Sequence, residues 1–364
     1  MTQLNDSYDV VVLGGGAAGL NAALMLARSR RSVLVIDAGS PRNAPAQGVH
    51  GLLGREGMSP LELLELGRAE VRGYGGEVVS GEVVSVDLVA ESVSGARAFG
   101  SDGSRQSAVD SADVENRDLQ GDGAGSALDD GGANFADFRV TLTDGRTVRA
   151  RRILIATGLA DVLPEIPGLR ERWGNEVLHC PYCHGWEVRD QRIAVLASGP
   201  MSVHQALLFT QLSDDIVFLT HTSDALNAED AEKLAARGVR IVEGEVVEVL
   251  ADDHLTGIRL ADGTVLDRDA VVVAPRMNTR ATFLTSLGLT PEPHPAGIGD
   301  HIPADPVGRT SVPGIWIAGN ATDPTAQVGA AAAAGAMAGA QINAELVMAD
   351  TATAVAERAA GIRV

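Results

Sequence analysis

Tyr8-Asp-Val-Val-Val-Leu13-Gly14-Gly15-Gly16-Ala17-Ala18-Gly19-Leu20 reads as a strand, a glycine turn and the start of a helix. The apolar run before the glycines does not alternate with polar residues, as expected of a parallel strand buried on both faces. Residues 20–30 follow with Leu20, Ala23, Leu24 and Ala27 on one helical face. A second apolar strand over 32–36 ends in Asp37. This is one βαβ unit, and Gly14-x-Gly16-x-x-Gly19 occupies its turn. Gly14 permits the tight turn, Gly16 lets a pyrophosphate approach the backbone, and Gly19 lets helix and strand pack closely. Gly15 and Ala17 complete a loop whose N–H groups, with the positive end of the helix dipole, would face phosphate. Asp37 is placed to accept from ribose hydroxyls.

Outward from that unit, residues 59–73 have helical spacing and 77–87 alternate like strands. Residues 138–143 and 147–151, joined by Asp144-Gly145, read as a hairpin. Between these segments, 92–134 are rich in Gly, Ser, Asp and Ala without periodicity, so a disordered insertion at a hairpin tip is expected. Arg152-Ile-Leu-Ile-Ala-Thr-Gly158 is read as another buried strand. A second α/β unit begins near Arg192, with strands over 193–196, 216–220 and 239–243 and helices over 201–212 and 228–237. Strands over 246–250, 256–260 and 270–274 complete it. Gly314-Ile-Trp-Ile-Ala-Gly319 is a last strand, and an Ala-rich helix of small residues covers 327–348. The fold class is therefore α/β: two nested Rossmann-like dinucleotide-binding domains, three-layered with parallel sheets, the second inserted in the first. Expected boundaries are 1–162 and 279–364 for the discontinuous domain and 163–278 for the inserted one.

Composition narrows the function. Glycine is abundant (42) and aromatics are few (3%), which suits βα turns better than an aromatic-lined sandwich. A formal net charge of −19 argues against nucleic acid and anionic lipid as partners, since both need a basic surface. No stretch reads as a membrane span, and residues 1–7 lack the basic region of a signal peptide, so a cytoplasmic protein is expected. In that reducing setting Cys180-Pro-Tyr-Cys183 is read as a redox pair rather than a structural staple. The spacing lets the two sulfurs close a small ring at the start of a helix, where a thiol pKa is lowered. One cysteine can form a mixed disulfide that the other resolves. A haem attachment would need export, and a zinc site would need four ligands where His179, Cys180, Cys183 and His184 make a cramped set.

Two further features, taken with three already described, resemble one family. Arg152-Ile-Leu-Ile-Ala156-Thr-Gly158 resembles the Ala-Thr-Gly segment of flavoproteins with two dinucleotide domains. Thr310-Ser-Val-Pro-Gly-Ile-Trp-Ile-Ala-Gly319-Asn320 resembles their second FAD motif, although the family usually has Asp where Asn320 stands. With the first fingerprint, the cysteine pair and the second α/β unit, the order of motifs is similar to the low-molecular-weight thioredoxin reductase family over nearly the whole chain. The resemblance implies FAD as cofactor and a homodimer. It implies that Cys183 faces the flavin, that Cys180 meets the substrate, and that the next residue, His184, exchanges the proton. It also brings Asn43 and His50 to the flavin loop. The helix starting at Gln327 or Val328 would aim its N-terminus at the flavin.

The second dinucleotide turn departs from the family. It reads Ala197-Ser198-Gly199-Pro200-Met201-Ser202, without the first glycine and with one backbone donor removed by proline. The arginines expected for a 2′-phosphate are absent from Thr220-His221-Thr222-Ser223-Asp224, and Glu229 and Asp230 follow. NADPH is therefore a doubtful ligand. This departure resembles the dithiol oxidase branch, such as the gliotoxin and holomycin enzymes. There, electrons pass from a small-molecule dithiol through the cysteines and FAD to O2, giving H2O2. Two alternatives remain at this point: NADPH-dependent reduction of a thioredoxin-like protein disulfide, and a flavoprotein that binds thiols for resistance without turnover.

Overall fold

The computed structural model describes residues 4–89 and 137–361. The insertion expected over 92–134 lies outside the described residues. The first part of the chain runs β1 (Ser7–Leu13), α1 (Ala17–Arg28), β2 (Val33–Asp37), α2 (Pro60–Gly73), β3 (Glu77–Ser80) and β4 (Val83–Val89), then β5 (Asp137–Leu142) and β6 (Thr147–Ile155). Strands β4 and β5 pair antiparallel with Val89 opposite Asp137.

The hairpin strand and the buried strand expected on either side of Arg152 are one continuous β6. Arg152 is only 1% exposed, and its Nε donates to Glu345 Oε1 at 2.5 Å, so a charged residue does not interrupt the strand. The first half of β6 pairs with β5, and Arg149 to Ile155 lie beside β1. Helix α1 starts a turn earlier than its apolar face suggested, because Ala17, Ala18 and Gly19 already wind as helix.

A ribbon strand β7 (Leu159–Val162) leads to β8 (Val177–Leu178) and the short helix α3 (Pro181–His184). Then come β9 (Ile193–Leu196), α4 (Ser202–Phe209), β10 (Ile216–Leu219), α5 (Ala228–Ala236) and β11 (Arg240–Val242). Strands β12 (Val246–Ala251), β13 (Leu255–Leu260) and β14 (Val265–Asp267) form an antiparallel sheet, and β15 (Ala270–Val272) returns to the parallel one. The parallel order is β11-β10-β9-β15-β8. Helix α4 ends at Phe209 instead of continuing to Leu212, where Leu212 N already donates back to Phe209 O in a turn. Strand β16 (Arg276–Thr279) pairs antiparallel with β7, Thr279 opposite Leu159, and so ties the two sheets' connections together.

The chain closes with the two-residue strands β17 (Glu292–Pro293) and β18 (Asp300–His301), then β19 (Ile315–Ile317) and α6 (Val328–Ala359). Strand β19 pairs parallel with β6, so the first sheet draws strands from both ends of the chain. Among the described residues its path is β3-β2-β1-β6-β5-β4 with β19 on β6.

Both parallel sheets are covered alike. Alternation along β1 and β2 sends Val10, Val12, Val33 and Val35 toward α1 and α6. Val11, Leu13, Leu34 and Ile36 meet Val86, Phe138 and Val140 of the antiparallel strands. In the second sheet, one face meets α4 and α5 through Phe209 and Leu234, and the other meets Val249 and Ile258 of β12 and β13. The third layer is antiparallel in both units: a separate sheet in the second, and the β4–β5 end of the same sheet in the first. Helix α6 lies close on α1 because Gly335 and Gly339 carry no Cβ, which would run into the backbone oxygens of Ala18 and Ala22. No helix among the described residues is long and apolar enough to cross a membrane.

Candidate active site

The first turn folds as its glycines require. Gly14 has φ +110°, a conformation open to glycine, and a Cβ there would strike the Ala156 carbonyl. A Cβ on Gly19 would strike the Gly14 carbonyl, whereas one on Gly16 would meet nothing within 4 Å. Gly16 is the N-cap of α1, with no side-chain cap and no acid in the first turn, so the helix presents bare N–H groups. Gly319 and Ala156 flank the same opening from β19 and β6. Gln327 is the N-cap of α6 and Val328 its first residue, and this helix too has no side-chain cap. All residues singled out from the sequence, Gly19 excepted, line one cavity of about 1630 Å³. Gly19 lies behind it as the packing residue.

Cys180 and Cys183 are joined as a disulfide with a Cα–Cα distance of 5.2 Å. Cys180 is the N-cap of α3, and Pro181 takes the first helical position, where its missing N–H costs nothing. Cys183 N donates to Cys180 Sγ at 3.2 Å. His184 ends this helix, and burial pushes its pKa below the usual value, with Glu187 opposing and His50 adding to the shift. His50 is held between two carboxylates: Nδ1 lies 2.6 Å from Glu56 Oε1 and Nε2 lies 3.5 Å from Glu187 Oε1. His50 and His184 therefore share one acidic neighbour, Glu187, although they are far apart in sequence.

Asn320 explains a departure from the family pattern. Its Nδ2 donates to the carbonyls of Asp323, Pro324 and Ala326, at 3.0, 3.3 and 2.9 Å. A carboxylate could not donate to these oxygens, so the loop before α6 is built for an amide. Sequence reasoning missed three residues. Arg42 pairs with Asp161 at 2.8 and 2.7 Å, Arg68 donates to Asp37 at 2.8 Å, and Glu187 sits beside His50. Their partners are 119, 31 and 137 residues away or on other elements, and no motif spacing marks them.

The pyridine nucleotide-disulphide oxidoreductase family matches residues 8–339 of this sequence. The chain belongs to that family. The solved structure of HlmI is 40% identical and superposes with a TM-score of 0.82, covering 100% of this chain and 99% of that one. Thioredoxin reductase tcpT of Claviceps purpurea is 28% identical over 86% of each chain. Thioredoxin reductase sirT of Leptosphaeria maculans is also 28% identical, over 95% of this chain and 96% of its own. The protein is thus a thioredoxin reductase-like FAD-dependent oxidoreductase acting on sulfur groups.

FAD fits the residues present. The open space at Gly16, the uncapped starts of α1 and α6, and the glycine-cleared approach of α6 to α1 together make a cradle for an extended dinucleotide. The cavity exceeds the roughly 300–1,000 Å³ usual for a single ligand pocket, which leaves room for substrate near the disulfide.

The second turn is a poorer cradle for NADPH than the first is for FAD. Ser198 N and Gly199 N both donate to Ser202 Oγ at 3.2 Å, so two backbone donors of this turn are engaged internally. Pro200 has no N–H to offer. Ser198 Oγ also bonds to Ala274, donating to its carbonyl at 3.2 Å and accepting from its N–H at 2.8 Å. Where a 2′-phosphate would call for cations, His221 Nδ1 accepts from Val246 N at 3.0 Å, and burial lowers its pKa further. His221 is accordingly a neutral acceptor in the fold, not an anion ligand.

Proposed function

We propose that this protein oxidises a small-molecule dithiol to its disulfide through Cys180 and Cys183, with O2 as the final acceptor. The second turn carries this reading: Ser202 satisfies the N–H groups of Ser198 and Gly199 and Pro200 offers none, leaving a nicotinamide dinucleotide a depleted phosphate cradle. With NADPH disfavoured as donor, reduction of the flavin falls to the substrate dithiol. The division into 1–162 with 279–364 for FAD and 163–278 for the cysteine pair belongs to the same proposal, as do a cytoplasmic setting and a homodimer.

The chain's own groups supply the following steps. One substrate thiolate attacks Cys180 Sγ, the Cys180–Cys183 bond breaks, and Cys183 leaves as thiolate. His184, kept neutral by burial, accepts the proton of the attacking thiol. The second substrate thiolate attacks the substrate sulfur of the mixed disulfide, and Cys180 departs. The substrate is oxidised by two electrons and the enzyme disulfide is reduced to a dithiol. Bound FAD supplies two-electron acceptance from that dithiol and passage to O2 as H2O2. Asn43 and His50 would border the flavin, Asp37 its adenosine ribose, and Gly14 to Ala17 its pyrophosphate.

A second reading, NADPH-dependent reduction of a thioredoxin-like disulfide, is favoured by the names of tcpT and sirT. Anaerobic mixing separates the two. Dithiothreitol should bleach the flavin absorbance and NADPH should not, while Cys183→Ser should bind FAD normally yet fail to bleach with dithiol. Rapid bleaching by NADPH would overturn the oxidase reading. Bleaching by neither reagent would point to thiol binding without turnover.

A further inference from the structure

We propose that Arg68 is a positioning residue for FAD, acting through Asp37 on the adenosine ribose. Helix α2 can lie against α1 because position 67 is glycine, where a Cβ would sit 3.1 Å from Leu20 Cδ1. The next residue, Arg68, is thereby brought to the end of β2. Its Nη2 donates to Asp37 Oδ2 at 2.8 Å, and its Nη1 donates to Glu65 Oε2 at 3.0 Å. Asp37 Oδ1 accepts from Gly39 N at 3.0 Å. The carboxylate also lies against the backbone of Gly15, where a Cβ would come within 2.6 Å of Oδ2.

These contacts fix the plane of the Asp37 carboxylate from behind. Asp37 lines the cavity and Arg68 does not, so the guanidinium supports the acid without taking the ligand's place. Each oxygen has one protein donor, and an ionised carboxylate has about four acceptor positions, so acceptor capacity remains for two ribose hydroxyls. The pair also settles a charge conflict. An unpaired carboxylate beside the Gly14–Gly16 turn would repel the pyrophosphate that the turn binds. Arg68 offsets that charge while leaving the hydroxyl acceptors in place. The side chains of Arg68 and Asp37 are 18% and 16% exposed, so solvent screens the pair only partly.

The inference rests on Asp37 meeting the ribose, and the test separates the two claims. FAD is removed from the wild type, Arg68→Gln, Arg68→Lys, Asp37→Ala and the double variant Asp37→Ala/Arg68→Gln. Each apoprotein is titrated with FAD by fluorescence quenching and checked by thermal melting. Arg68→Gln should weaken FAD binding about tenfold, the scale of one charge-assisted hydrogen bond. Arg68→Lys should recover most of the loss, with the apoprotein melting temperature unchanged in both. In the Asp37→Ala background, Arg68→Gln should cause no further weakening, because the residue acts through Asp37. Equal losses from Arg68→Gln in both backgrounds, or none in either, would overturn the positioning role. An unchanged FAD affinity in Asp37→Ala would instead overturn the ribose contact on which it rests.

Discussion

His184 shows how one side chain's surroundings set its chemistry. An exposed histidine is half protonated near pH 6.5, but burial beside the cysteine helix lowers that value, and His50 pushes the same way while Glu187 opposes. A lowered pKa means the proton-accepting form persists through neutral pH and is lost only as pH falls below the usual range. The rate of dithiol-to-flavin transfer should therefore hold through neutrality and drop on the acid side. His184→Gln should slow the transfer about 10²-fold, a typical general-base contribution, and remove that acid limb. Stopped-flow absorbance across pH measures both. An acid limb that survives the substitution would assign the proton to another group. Asn320 teaches a complementary lesson: its three carbonyl partners account for an amide where an acid was expected.

At the scale of elements, the two strand–turn–helix units differ in how their turn donors are satisfied. The turn before α1 leaves its N–H groups uncapped toward the cavity. The turn before α4 folds Ser202 back onto Ser198 and Gly199. A satisfied turn is a more stable turn, since buried backbone donors without partners are costly. Ser202→Ala should lower stability by about 1 kcal/mol, the usual net cost of a lost hydrogen bond, while dithiol oxidation continues. Urea melts and steady-state oxygen uptake test this. An unchanged melt would mean that the hydroxyl does not cap the turn.

Across the whole molecule, the loop after β2 joins elements from distant parts of the chain. Arg42 holds Asp161 of β7 with two hydrogen bonds and also reaches Met277 Sδ of β16 at 3.4 Å. Gly174 lies against Pro45, where no Cβ could fit. His50 faces Glu187 just beyond the cysteine helix. The loop expected to border the flavin is thereby fixed to the segment that carries the disulfide. Asp161 is only 7% exposed at its side chain, so Arg42→Ala would strand a largely buried carboxylate. A loss of about 3–5 kcal/mol in unfolding free energy is expected, as for other broken buried pairs. Chemical denaturation measures it, and a loss under 1 kcal/mol would show that water replaces the guanidinium.

The sequence by itself determined the strand–glycine–helix unit at Gly14, the second α/β unit, the redox spacing of Cys180 and Cys183, and the departure at Pro200. These are local: backbone conformation at a tight turn, hydrophobic period and donor count are properties of neighbouring residues. Only the tertiary structure decided that β6 runs unbroken through Arg152, because its Glu345 partner comes from α6. It also decided that α6 continues to Ala359, that Ser202 closes the second turn, and that Arg68, Arg42 and Glu187 serve Asp37, Asp161 and His50. The ion pairs depend on side chains meeting across elements, whereas Ser202 reaches back only three and four residues within its own turn. The meetings across elements are set by packing, as where Gly67 lets α2 bring Arg68 to Asp37, and leave no regular spacing along the chain.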